Sequence, residues 1–526
     1  MATIPIQERR PLVRPAGRSG SGRPRRSYDS AVIAAPAALA AILSFYGITG
    51  RSLGFDEGAT VAIASQHGST LWAGIAHDGG NMSGFYLALH VLIGLFGNGL
   101  LVLRFVSALA ITATAGLIAA IGRRLFDRVV GLAAGALTAV SLPLIYWGQT
   151  ARGYAPMVAF VCAAYLAFIA LADPRRGSTG RGAWIGYVAA MVLAMYCSFV
   201  AVLVVPAQLL VLGGRRGAWR RVTTALGAVA LLSVPLAVLA ARRGSGQLFW
   251  VTRPNRMVDT QVLQSLTSAG LSPSFHPTAT TYLLMWATVA AVGALVVELA
   301  WRWFRPDAWG RALTLAWCVV PAGLTFLSSL VLQPTFVPRN VLLSTPAVAL
   351  ALATLLTHRA VRRGVPVAVA VIAVLALRAL QVAPSYGVSP EPWSTVTHRV
   401  LAAARPGDCV AFYPEDGRNA FQYYLGTGAD RAAPRSILPV LPWGTVKPYV
   451  ERYATLSPAQ LASRAAGCRR VWYVSSHEGQ PNGPVQARAN RRRYFQLQAE
   501  LVRRYGFARV DSYGYASTIH VQLFSR

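Results

Sequence analysis

The sequence is poor in charge. Only 13% of its 526 residues are Asp, Glu, Lys or Arg, too few to clothe the two to four soluble domains this length would otherwise suggest. Lysine is nearly missing, and acids are outnumbered 19 to 50 by basic residues. The five cysteines show no C-x-x-C pair and no Cys/His spacing of the kind that holds structural zinc. The polar C-terminal segment has no glycine-rich phosphate fingerprint, which disfavours nucleotide binding there. Charges inside the apolar runs are scarce too, whereas transporters usually bury such groups halfway across the membrane.

What the chain has is apolar length. Hydrophobic residues make up 54%, and from 30 to 382 they gather in runs of about 18–22 residues, enough to cross roughly 30 Å of hydrocarbon. That predicts a polytopic α-helical membrane protein. The formal charge of +31 comes almost wholly from arginines, and those within 30–382 cluster in short loops between the runs. Such a distribution is the positive-inside pattern and not a nucleic-acid footprint.

Residues 1–29 are rich in Arg, Gly and Pro and read as a disordered basic cytoplasmic tail. The run 31–49 then crosses outward as an uncleaved anchor. Keeping every Arg-dense loop inside gives about eleven spans within 30–382. They are 31–49, 104–122, 129–147, 154–172, the two halves of 183–212 split near Ser198, 222–241, 281–300, 311–332, 341–357 and 365–382. The segment "SGFYLALHVLIGLFG", 83–97, is short for a span and reads as a juxtamembrane or re-entrant helix in a first external loop, 50–103. If it crossed, the count would be twelve.

Residues 383–526 read as a small extracytoplasmic α/β domain. "GDCVAFYP" and "CRRVWYVSS" suggest buried strands, "ANRRRYFQLQAELVRRYG" an amphipathic helix and "STIHVQLFS" a last strand. Within it Cys409 and Cys468 either pair, if the domain is outside, or stay as buried thiols. Cys162, Cys197 and Cys318 fall in apolar runs as small core residues.

This threading sends several polar groups to one face: Asp56 and Glu57 in "FDE", His77 and Asp78, Arg152 in "YWGQTARGY", the loop 242–280, and Arg339 in "QPTFVPRN". Acids and arginines together at a membrane face can deprotonate a nucleophile and hold a phosphate leaving group. Each also has a plain structural reading. Asp56 could cap a helix, Arg152 and Arg339 could snorkel at helix ends, His77 could be an ordinary loop residue, and His90 could be packed on an apolar face.

The order of these motifs resembles the C-type glycosyltransferases that use polyprenyl-phosphate sugars, in the branch of protein O-mannosyltransferases and aminoarabinose transferases. An acidic pair follows the first span, as "FDE" does here. The family's "D-x-x-P-P-x-Y-x-x-L-H" is similar to "DGGNMSGFYLALH", Asp78 to His90, with Met82-Ser83 in place of the proline pair. "LRFVSAL" from Leu103, "GRRLF" at 122–126 and the turn Tyr146, Gln149, Ala151, Arg152, Tyr154 complete the series. The likeness covers about 30–200 well and implies roles. Asp56 would be the general base, Glu57 a supporting acid, and Arg152 and Arg339 donor-phosphate ligands. Asp78 would lie on the acceptor side or near a metal. Glu57, His77 and Asp78 together could hold a divalent ion, and metal dependence stays open.

The resemblance implies an enzyme that moves one sugar from a polyprenyl-phosphate donor to a polysaccharide, glycolipid or protein acceptor of the cell envelope, with inversion. Near-exclusive Arg over Lys and Ala/Val richness are marks of a GC-rich genome, an association that points to mannose or arabinose. A transporter or flippase of lipid-linked sugars is the alternative. A catalytically silent assembly partner is a third reading.

Overall fold

The computed structural model describes residues 24–172, 181–213, 216–244, 248, 250–268, 279–301, 308–357, 389–425, 433–445, 457–481, 483–514 and 518–526. The expected last span, 365–382, and most of the basic tail lie outside the described residues.

Helices dominate as far as residue 357. The first five are α1 (Pro24–Phe45), α2 (Phe55–Ala64), α3 (Gly68–His77), α4 (Ser83–Phe96) and α5 (Leu100–Leu125). Next come α6 (Arg128–Ala139), α7 (Leu142–Gly148), α8 (Tyr154–Ala172), α9 (Arg181–Cys197) and α10 (Val204–Leu210). The series continues with α11 (Arg216–Leu232), α12 (Val234–Arg243), α13 (Arg256–Leu266), α14 (Ala279–Trp301) and α15 (Ala308–Val331). A short α16 (Pro338–Val341) leads through a 3₁₀ turn into α17 (Thr345–Leu356).

Four helices are long and apolar enough to cross a membrane among the described residues, or six if each bent pair counts as one span. The pairs α6–α7 and α11–α12 bend by 59° and 52°, and each second helix carries a proline in its first turn, Pro143 and Pro235. Proline fits that first turn because its missing N–H would be unpaired there anyway. Hydropathy cannot separate such a broken pair from one straight span. The run 183–212 breaks at Ser198, between α9 and a 3₁₀ turn. The 242–280 segment, expected as a loop, contains α13, which Asn255 caps by accepting from the N–H groups of Met257 and Val258.

Among the described residues beyond 388, five strands form one sheet in the order β2-β1-β3-β5-β4. They are β1 (Asp408–Tyr413), β2 (Arg435–Leu438), β3 (Arg470–Ser476), β4 (Phe507–Tyr513) and β5 (Ile519–Ser525). The first three run parallel, while β5 is antiparallel to both β3 and β4. Every residue of β1 is buried, which explains its unbroken apolar reading. Helix Val485–Tyr505 matches the amphipathic segment, and Cys409 and Cys468 are joined in a disulfide. This unit sits on α2. A Cβ on Gly58 would stand 3.0 Å from the Ala420 nitrogen, so the two backbones touch there.

Candidate active site

The site is built on the first turn of α2. Gly54 precedes the helix, and its N–H donates to Glu57 Oε2 at 3.0 Å. Asp56, one residue earlier, points elsewhere, close to the positive end of the helix where an ionised carboxylate is favoured.

Glu57 is the keystone of the scaffold. Its two oxygens take Arg104 Nε at 2.9 Å and Nη2 at 2.8 Å, and Oε1 also accepts from the Ala151 N–H at 2.8 Å. The other Arg104 N–H groups reach the carbonyls of Ile48 (2.7 Å), Arg51 (3.0 Å) and Ser52 (3.1 Å). Arg51 in turn donates to the carbonyls of Tyr146 at 3.0 Å and Gln149 at 2.9 Å. Gln149 Nε2 reaches back to the carbonyls of Ser44 (3.1 Å) and Tyr46 (2.7 Å). Ser107 Oγ donates to the Arg152 carbonyl at 3.3 Å. The motifs "FDE", "LRFVSAL" and "QTARGY" are thus one hydrogen-bonded frame around a buried ion pair. Glu57 is fully engaged within it.

Asp56 lies between two guanidiniums. Oδ2 is 3.2 Å from Arg339 Nη1 and 3.9 Å from Arg152 Nη2. Arg152 also donates to the Asp56 carbonyl (3.3 Å) and to Thr60 Oγ1 (3.2 Å). The Asp56 side chain is 48% exposed, and it lines a cavity of about 510 Å³. Burial would lift its pKa, but the charges of Arg152 and Arg339 outweigh it and hold the carboxyl below the usual range. It is therefore ionised and competent to accept a proton.

Arg339 lines the cavity with Asp56, whereas Arg152 is not among the lining residues. Its guanidinium sits over Trp250 at 4.5 Å and near Tyr154 at 5.7 Å, two aromatic faces that favour a cation. Of the two arginines expected at a donor phosphate, Arg339 is the one already facing the space, and Arg152 braces the α2 backbone behind it. The close turn at Arg152 depends on Gly153, where a Cβ would stand 2.4 Å from the Cys197 carbonyl.

His77 and Asp78 do not line the cavity. Asp78 Oδ2 accepts from Tyr86 Oη at 2.8 Å. Burial pushes the Asp78 carboxyl up to about 6, with the nearby negative Asp56 adding to it, against the pull of Arg152 and the Tyr86 bond. A folded-state pKa above the usual 3.8 means the fold favours the protonated form; that stabilisation is complete below the unfolded value and lost as pH rises through the folded one. Asp78→Asn, neutral at every pH, is therefore expected to raise the melting temperature near pH 7.5 and to change it little near pH 4, by thermal unfolding at both. No group of three or more His, Cys, Asp or Glu side chains gathers to hold a metal ion among the described residues, and Glu57 is committed to Arg104. The Glu57–His77–Asp78 trio is thus not brought together as an ion site. His90 is packed, its Nδ1 2.8 Å from the Ala64 carbonyl.

The turn before α4 has an unusual backbone. Met82 is fully buried with φ +59°, a value proline, locked near −65°, cannot adopt. A proline at 82 would not fit this backbone.

Sequence reasoning missed the second wall of the cavity. Pro390, Glu391, Asp416, His477 and Gln480 line it from beyond residue 388. Glu391 Oε2 accepts from the Phe55 N–H, next to Asp56, and Glu391 Oε1 is 3.3 Å from His477 Nε2. One sequence signal was available. "SSHEG" follows a predicted buried strand, and in open α/β sheets ligands bind beyond the carboxyl ends of parallel strands.

Comparison with known proteins agrees with the motif reading. The family model described as dolichyl-phosphate-mannose-protein mannosyltransferase matches residues 82–240. No curated protein matches the chain. Among solved structures, apo ArnT from Cupriavidus metallidurans aligns with TM-score 0.58 and 14% identity, over 94% of this chain and 98% of that one. The same protein bound to undecaprenyl phosphate aligns with TM-score 0.53 and 13% identity, over 93% and 97%. The archaeal oligosaccharyltransferase AglB from Archaeoglobus fulgidus, in complex with an inhibitory peptide and a dolichol-phosphate, aligns with TM-score 0.52 and 13% identity, over 94% and 74%. These chains share one fold with the present one, and the resemblance to polyprenyl-phosphate-dependent glycosyltransferases is borne out.

Proposed function

We propose that this chain is an integral-membrane glycosyltransferase that moves a sugar, mannose or arabinose, from a polyprenyl-phosphate donor to a cell-envelope acceptor on the external face. The observation that carries the reading is the Asp56 carboxylate, open to the cavity and 3.2 Å from Arg339. That ArnT is seen with undecaprenyl phosphate and AglB with dolichol-phosphate supports a lipid phosphate as the donor's carrier.

The acceptor hydroxyl loses its proton to Asp56 as its oxygen bonds to the anomeric carbon. The bond from that carbon to the phosphate oxygen breaks, with inversion, and the lipid phosphate leaves carrying the electron pair. Its growing charge is met by Arg339, whose planar fork matches phosphate oxygens. Phosphate and Asp56 compete for the same guanidinium. When the donor's phosphate engages Arg339, Asp56 loses part of the attraction that lowers its pKa and becomes a stronger base where one is needed. Arg152 keeps the carboxylate oriented.

Two features support an external site. Helix α5, 26 residues long and hence about 39 Å, has Arg104 at the cavity end and Arg123 and Arg124 in its last turn. The basic end belongs inside by the positive-inside rule. The Cys409–Cys468 disulfide beyond residue 388 fits an oxidising compartment.

The test is transfer from radiolabelled polyprenyl-phosphate mannose and, separately, arabinose by membranes containing the full chain. Label entering a wall, glycolipid or protein fraction from one donor supports the reading and identifies the sugar. Transfer from neither contradicts it for both sugars.

A further inference from the structure

The two walls of the cavity differ in charge. Among the described residues, those before 388 supply every lining arginine, Arg51, Arg104 and Arg339, beside two acids, Asp56 and Glu57. The described residues beyond 388 supply Glu391, Asp416, His477 and Gln480 to the other wall and no guanidinium. A phosphate is drawn to Arg339 on the first wall and repelled by the acids of the second. What the second wall suits is an uncharged molecule rich in hydroxyl groups, able to donate hydrogen bonds.

His477 is prepared to receive one. It directly follows β3, at the carboxyl edge of the parallel strands, in a left-handed conformation with φ +54°. Its ring packs against Phe55 with centroids 4.7 Å apart. Nε2 lies 3.3 Å from Glu391 Oε1. Nδ1, the other ring nitrogen, has no protein partner among the described residues and can pair with a hydroxyl, which both donates and accepts. The side chain is 46% exposed in a residue that lines the cavity. Glu391 also accepts from the Phe55 N–H, so one carboxylate fixes both the imidazole and the start of the Asp56 helix. Phe55, Trp147 and Trp250 add apolar ring faces to the same space, the kind of surface on which sugar rings pack.

We propose that His477, held by Glu391, binds a hydroxyl of an uncharged saccharide acceptor, so that a neighbouring hydroxyl is presented to Asp56. This rests on the glycosyltransferase reading. Glu391 is a positioning residue: its carboxyl stands 3.3 Å from Nε2 and leaves the Nδ1 edge of the ring for the sugar.

The test is calorimetric binding to the full-length chain purified in detergent, with α-1,6-mannobiose as the uncharged probe and mannose 6-phosphate as the charged one. His477→Asn retains a residue that tolerates the left-handed backbone, and Glu391→Gln retains shape. Each is expected to weaken mannobiose binding about tenfold, the scale of one hydrogen bond in affinity. The double variant should cost little more than either single one, because both changes remove the same contact with the sugar. Mannose 6-phosphate, if it binds, should do so equally to all. Mannobiose affinity unchanged in both variants, or no mannobiose binding to the wild type, overturns the proposal. So does an equal loss for both probes, which would mark a general structural defect. Binding is read without turnover, so a chain that binds mannobiose through His477 yet moves no label contradicts the transferase reading and not this one.

Discussion

Asp56→Asn is expected to slow sugar transfer by about 10²–10⁴-fold, the usual contribution of a positioned general base. The amide fills the same volume and can still face Arg339, so the frame around Glu57 is undisturbed. What it cannot do is take a proton. The donor should bind no more weakly, because removing the negative charge frees Arg339, 3.2 Å away, for the phosphate. The combination is diagnostic: kcat falls while the donor KM stays level or drops. Kinetics in membranes with matched amounts of wild type and variant would show it. A kcat within a few-fold of wild type would move the base elsewhere. Asp78 would then be next in line, although it stands outside the cavity.

Glu57→Gln is expected to cost stability and not chemistry. Arg104 is 1% exposed and its partner side chain 6%. Removing one member of such a buried pair leaves the other charge uncompensated, at a cost of about 3–5 kcal/mol. The amide would also turn N–H groups toward Arg104, and of the two oxygens that now accept from Gly54 and Ala151 only one would remain. Denaturation in detergent micelles should show a large drop, and replacing both partners, Glu57→Leu with Arg104→Met, should recover part of it. Full stability with lost transfer in Glu57→Gln would instead put Glu57 among the groups that touch substrate.

These outcomes separate two adjacent acids that look alike in sequence. Spacing brought Asp56 and Glu57 to notice together, and nothing in "FDE" says which one faces the cavity. The difference arises from partners 47 and 283 positions away, contacts that only the packed helices create. The motif string was legible because its members serve one local frame: Glu57, Arg104, Gln149 and Ser107 all hold the same few turns of chain. Arg339 was visible only as a lone arginine in a polar turn, since its aromatic support from Trp250 comes from a segment expected as plain loop. Strand β1 could be read from its continuous apolar run. Edge strand β4 could not, because "FARVDSY" is mostly exposed and carries no buried face to pattern it. Glu391 and His477 were hidden for a related reason. Each is an ordinary polar residue until the sheet's carboxyl edge is laid against α2.

The most direct test of the central claim separates transfer from translocation. The purified chain would be reconstituted in vesicles with radiolabelled polyprenyl-phosphate mannose or arabinose and an envelope acceptor extract, and label would be followed in the lipid and acceptor fractions. The account predicts that label leaves the lipid with release of polyprenyl phosphate, and that Asp56→Asn vesicles keep it lipid-linked. Label that stays on the lipid while crossing the bilayer, in wild type and variant alike, would contradict it and make the chain a transporter.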